Sequence, residues 1–302
     1  MSNSLKIIVI CLVVLVGFAM CNRKPTKSNA DTATTGNSKF IVDESFEPIM
    51  EQEQYVFKAL YPQTKPDLIY KNENEVLRLL LTDSIRTAIL ARELTPYETK
   101  VLNDRTLPPE VTRFASDAIT IIVNQQSNDT LITVKQIKDL LNGRTMTDKN
   151  VVFDNPNSSL VRYLKDLAGT KELNKKNIYA LNTNKDVVTY VSTHSNAIGI
   201  VGFSWLNDPD ADYAEAAAKV KIVGVKSTDN DNAPTEYFKP SQVTLALKQY
   251  PLNRSLYVIN CTGRSGLASA FVDFLKSDRG QRIILKSGLL PDSIPTRQIN
   301  IK

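Results

Sequence analysis

The chain has 302 residues, 42% hydrophobic and 23% charged, a composition that excludes a disordered or membrane-embedded protein and leaves room for two domains. Its 37 basic and 32 acidic residues are scattered rather than blocked, so the net charge of +5 does not describe a nucleic-acid surface. Cys11, Cys21 and Cys261 are the three cysteines and His194 is the one histidine, which excludes a disulfide framework and any Cys/His metal spacing.

Residues 1–20 read as a secretory leader: Lys6, a continuous apolar run Ile7–Val16, then Gly17-Phe18-Ala19-Met20 ahead of Cys21. The run is short for a membrane-spanning helix. Cysteine in that place reads as a lipoprotein acceptor, although Met20 stands where a small residue is usual. Cleavage there tethers the body outside the cytoplasm by acyl chains, and an uncleaved N-terminal anchor is the alternative. Residues 21–37 carry almost no large apolar side chains and predict a flexible tether.

The folded part begins with a strand at Phe40-Ile41-Val42, then a helix whose face is Phe46, Ile49, Met50, Phe57 and Leu60, closed by Pro62. Leu68-Ile69-Tyr70 predicts a strand, Asn72 caps a helix over 73–81, and Ala88–Ala91 predicts the next strand. Ala118–Asn124 is apolar enough to be buried on both faces. The alternation continues with helices over 133–141, 158–168 and 186–192 and strands at 151–153, 178–181 and 198–203. A late strand, 256–259, and helices over 267–275 and 281–286 close the chain. Strands alternating with helices argue for an α/β protein with mainly parallel sheets.

The chemistry is concentrated in Asp154-Asn155-Pro156-Asn157-Ser158-Ser159, between a strand end and the helical run Leu160, Leu164, Leu167. A helix start leaves about four backbone N–H groups without intrahelical partners and is partly positive. With serine hydroxyls beside those groups, the turn reads as half of a clamp for a small oxyanion. A capped helix start with no ligand is the alternative. No enzyme motif competes. Any Ser-His-Asp triad would need His194, and Gly202-Phe203-Ser204-Trp205-Leu206 lacks the last glycine of a nucleophile elbow. No phosphate-loop motif is present. The chain therefore reads as a non-enzyme without metal or cofactor.

Three stretches in order resemble the phosphate-binding proteins of bacterial phosphate ABC transporters, in the variety common in Bacteroidota lipoproteins. They are Asp117–Asn124, Asn196–Gly202, and Gly266–Leu275 continuing through Ser277–Ile283 and Gly288-Leu289-Leu290-Pro291. The resemblance covers roughly residues 38–298. It implies a type II periplasmic-binding fold: two α/β lobes joined by a two-segment hinge, with a ligand cleft between them. Lobe one is then 38–117 plus 247–302 and lobe two 118–246, with crossovers near 117–124 and 250–258. It also implies that Ser45 and Phe46 offer a hydroxyl and a backbone N–H, that Arg92 stands in a second ligand loop, and that Asn157, Ser158 and Ser159 form the lobe-two loop. Many relatives carry arginine just before that loop; here Asp154 and Asn155 stand there, with Arg162 and Arg92 as replacements. Arg162 pairing with Asp166, and Arg92 with Glu93 or a nearby carboxylate, are the alternatives. Asp43, Glu93 and Asp154 are candidates to accept a phosphate proton, with Asp154 first. The implied function is capture of inorganic phosphate by a monomer, lipid-anchored through Cys21 and facing the periplasm, and delivery to an ABC permease. The alternatives are another oxyanion or a phosphorylated small molecule on the same fold, or a surface sensor or adhesion module without transport.

Overall fold

A computed structural model of the chain describes residues 31–144, 148–173, 176–228 and 235–293. The expected leader and the acceptor Cys21 lie outside the described residues. Strand β1 (Gly36–Asp43) pairs in parallel with β2 (Thr64–Lys71), beginning at Gly36↔Thr64. The strand therefore starts inside the stretch read as tether. Backbone pairing needs no apolar side chain, which is why composition missed these residues. Pro66 is tolerated in β2 because this strand is an edge of the sheet. Helix α1 (Glu47–Leu60) joins β1 to β2, and α2 (Glu73–Leu81), capped by the Asn72 side chain, leads to β3 (Thr87–Leu90). After α3 (Pro96–Asp104), the fifteen-residue β4 (Glu110–Asn124) runs from one half of the molecule into the other.

The second half holds β5 (Leu131–Thr133), α4 (Val134–Leu141), β6 (Asn150–Phe153), α5 (Ser159–Ala168), β7 (Ile178–Ala180), α6 (Asn184–Thr193) and β8 (Ala197–Gly202). The short strands β9 (Val220–Ile222) and β10 (Gly224–Lys226) follow. The chain returns along β11 (Asn253–Asn260), then α7 (Leu267–Lys276), α8 (Asp278–Lys286) and β12 (Leu290–Pro291). The main strand order is β2-β1-β3-β11-β4-β8-β6-β7, and β5 pairs separately with β10. Residues 110–118 of β4 pair with β11, and residues 119–123 pair with β8. One strand thus serves two α/β lobes, with the Tyr250–Arg254 return beside it; Leu252 accepts from the Ile119 amide at 2.8 Å.

Both lobes bury both faces of their sheets, as apolar strands require. In the first, Phe40 and Val42 pack with Phe57 and Phe271, while Ile41 faces Val76 and Leu80. Phe57 and Phe271 meet edge to face at 5.1 Å, and burial of each such ring is worth about 2 kcal/mol. In the second, Ile119, Ile121 and Val123 face Ile137, Leu160 and Leu164, whereas Ile122 faces Val187 and Val191. Parallel strands β1, β3, β6 and β8 all end toward the boundary between the lobes. Open α/β sheets place ligands beyond those carboxyl ends.

Candidate functional site

Asp43 closes β1 and Asp154 follows β6, so each lobe aims a buried carboxyl at the boundary. Asp43 Oδ1 accepts the Ser45 N–H at 3.0 Å, which fixes the turn Glu44–Phe46. The Ser45 amide is thereby occupied, which leaves the Ser45 hydroxyl and the Phe46 amide as the groups this turn can offer. The Ser45 carbonyl accepts from Trp205 Nε1 at 2.9 Å, so the turn is held from the opposite lobe. Its hydroxyl remains turned into the boundary, 3.4 Å from the Ser159 hydroxyl.

Across the boundary, Ser158 is the N-cap of α5: its hydroxyl accepts from the Val161 amide at 3.1 Å and donates to Asp154 Oδ1 at 2.5 Å. Asn184, at the start of α6, donates to Asp154 Oδ2 at 3.1 Å and accepts from the Gly202 amide at 3.1 Å. The carboxyl is therefore rigidly aimed by two helix starts and β8. A Cβ at Gly202 would lie 3.3 Å from Arg254 Nη2 and 3.3 Å from the Trp205 ring, so glycine lets β8 approach closely.

Arg254 lies at the centre and is 4% exposed. Its Nε and Nη2 donate to Asp117 Oδ2 at 3.1 and 2.9 Å, and its Nη1 donates to Ser159 Oγ at 2.9 Å. The Phe46 ring lies 4.6 Å from the guanidinium carbon. Aromatic cover and a buried carboxylate hold the cation with one edge turned to the serines. Burial pushes the Asp154 carboxyl up to about 7, with the Ser158 bond opposing the rise. Burial also pushes Asp43 up, against the attraction of Arg254. Among the described residues Asp43 Oδ2 and Asp117 Oδ1 make no hydrogen bond, although the Ser159 hydroxyl lies near enough to favour the ionised Asp43 carboxyl.

Of the residues expected from sequence, the structure brings together Ser45, Phe46, Asp154, Ser158 and Ser159. Arg92, Arg162 and Asn157 stand apart from this cluster, on an edge where the lobes meet. Arg92 donates to both Glu98 oxygens at 2.7 and 2.8 Å. Arg162 grips Glu73 of the opposite lobe at 2.5 and 3.2 Å and Asp166 at 3.2 Å. Asn157 accepts from Asn74, again across the boundary, at 3.2 Å. Sequence reasoning missed Arg254, Asp117 and Asn184. The available signal was a charge inside each of two apolar strands, since buried charges in proteins are paired.

A family model described as a PBP superfamily domain matches residues 27–279. No curated protein matches the chain. Among solved structures, the fold is similar to a Clostridium perfringens protein described as a phosphate ABC transporter substrate-binding protein, solved with bound phosphate. The TM-score is 0.71 at 19% identity, covering 85% of this chain and 100% of that one. An ABC-type phosphate transport receptor from Vibrio cholerae aligns with TM-score 0.63 and 18% identity over 84% of this chain and 99% of its own. The Synechocystis CcmR regulatory domain in complex with 2-PG aligns with TM-score 0.54 and 12% identity over 80% and 96%.

Proposed function

The chain belongs to the PBP superfamily, and from that premise we propose that it captures inorganic phosphate between its two lobes and delivers it to an ABC permease. The observation that carries the reading is the meeting of Ser45 of one lobe, Ser159 of the other and Arg254 within hydrogen-bonding reach, all buried. Lobe one comprises 36–117 and 247–293 and lobe two the described residues of 118–246, with β4 and the β11 return as the two hinge segments. The ligand set is Ser45, Ser159 and Arg254, with Phe46 backing the guanidinium, Ser158 holding Asp154 in place through its hydroxyl, and the first amides of α5 completing the donors. Hydrogen bonds to an ionised acceptor are stronger than neutral ones and gain further where water is excluded.

Phosphate suits this set better than sulfate because Asp43 Oδ2 is a buried acceptor with its position open, whereas both Asp154 oxygens already accept from Ser158 and Asn184. A protonated phosphate supplies a donor; fully ionised sulfate brings only repulsion and leaves a buried acceptor unpaired. Contacts from both lobes favour the closed form over the open one, which is the differential affinity that drives hinge closure. The reading is of a non-enzymatic monomer without metal or cofactor and without nucleic-acid contact. It includes a leader over 1–20 and lipid attachment at Cys21, which place the body on the periplasmic side of the cell envelope. Isothermal titration with phosphate, sulfate and molybdate tests the ligand. Phosphate is expected to bind on the order of micromolar or tighter, with no sulfate heat; equal heats for sulfate, or none for phosphate, overturn the reading.

A further inference from the structure

Trp205 is the one tryptophan of the chain and is 3% exposed. It stands just after β8, in the second lobe, yet its indole N–H donates to the Ser45 carbonyl of the first at 2.9 Å. An indole has a single donor and no acceptor, so a buried one needs such a partner. Its own lobe holds it in place, for the Tyr213 hydroxyl donates to the Trp205 carbonyl at 2.9 Å. Lys185 pairs with Asp210 and Asp212 at 3.0 Å each. Its ammonium lies 6.0 Å from the Trp205 ring and 5.3 Å from the Tyr213 ring. Ser45 is thus fastened at both ends of its backbone, the amide by Asp43 of its own lobe and the carbonyl by the opposite lobe. Its hydroxyl is left to face the site, 3.4 Å from that of Ser159.

Resting on the phosphate reading, we infer that Trp205 is a positioning residue: its hydrogen bond forms as the lobes meet and sets the Ser45 hydroxyl where the anion binds. It acts on phosphate through Ser45. The lobes have other ties. Arg162 crosses to Glu73, Asn74 to Asn157, and Asn207 donates to the Lys286 carbonyl at 3.3 Å. Closure therefore does not hang on one indole, whereas the Ser45 carbonyl takes its side-chain donor from Trp205. Loss of that donor leaves a buried carbonyl unpaired and the turn held from one side only. The cost falls on the closed complex and not on the open protein, where water reaches the same carbonyl.

Trp205→Phe keeps an aromatic ring and removes the N–H. Stopped-flow measurement on the full chain is expected to show inorganic phosphate released about tenfold faster, with association nearly unchanged. In a Ser45→Ala background the same substitution is expected to alter release by about twofold at most, because the hydroxyl it positions is gone. Equal effects in the two backgrounds overturn the positioning role and leave a simple tie between lobes. An unchanged release rate in Trp205→Phe overturns it as well. Should thermal melting show that Trp205→Phe does not fold, the wild-type chain still decides, since its one tryptophan reports the bond directly. Saturating inorganic phosphate is expected to shift the emission to the blue and to slow quenching by acrylamide. Identical emission and quenching with and without phosphate overturn the making of the bond on closure. Absence of phosphate binding by the wild-type chain in calorimetry overturns the underlying phosphate reading instead.

Discussion

Glu53 lies on the buried face of α1 with Ile49, Met50 and Phe57, and neither of its carboxyl oxygens has a hydrogen-bond partner. Burial pushes its pKa from 4.5 to about 9, so at neutral pH the folded state keeps a proton that the unfolded chain releases. A folded state that binds more protons loses stability as pH rises, here from about 4.5 toward about 9. Glu53→Met keeps the volume and removes the acid. It is expected to stabilise the protein by about 2 kcal/mol at neutral pH. Thermal melts should show the advantage growing from mildly acidic to mildly alkaline buffer; a constant or reversed difference refutes the argument. The same scale explains why Arg254 escaped the sequence. Its partner Asp117 lies 137 residues away and becomes its neighbour through the β4–β11 register. Ser158, by contrast, was legible because N-cap chemistry is written in adjacent residues.

At the scale of elements, the start of α2 meets the first turns of α5. Glu73 is 1% exposed and is bridged by Arg162 from the other lobe, with Arg92 at 3.6 Å from its own lobe. Charge therefore links two helix starts across the lobe boundary. Arg162→Gln removes the crossing pair while leaving Arg92 beside Glu73. Because Arg162 is partly exposed, the expected loss is about 1 kcal/mol, several-fold faster phosphate release with association nearly unchanged. Stopped-flow release with competing phosphate measures it, and an unchanged release rate shows that the pair does not hold the closed form. Helices α2 and α5 were legible from their caps and apolar faces. Helix α3 was not, although Thr95 and Glu98 form a capping box around Pro96; it buries only Leu102, so periodicity does not announce it. Strands β1, β4 and β11 run past their apolar runs because backbone pairing continues where side chains turn polar.

For the whole molecule, the proposed capture requires parting and closure of the lobes about β4 and the β11 return, because Ser45, Ser159 and Arg254 are buried between them. The alternation of strands and helices made the α/β class readable, but no local pattern shows that Ser45 and Ser159, 114 residues apart, come to share one point. If closure gates the site, fixing the lobes should fix the ligand. Asn74 and Asn157 are both exposed and meet across the boundary at 3.2 Å, so cysteines there can be joined by a short bifunctional thiol reagent. Cys261 is 2% exposed and poorly accessible to the reagent; Cys11 and Cys21 are changed to serine for the experiment. Protein crosslinked with phosphate present is expected to retain it through dialysis, and protein crosslinked without phosphate to take up none. Uncrosslinked double-cysteine protein should exchange freely, which separates the effect of the link from that of the substitutions. Exchange at the same rate with and without the link means that the anion reaches Arg254 by a route other than the parting of the lobes. The hinge reading then fails even if phosphate binds.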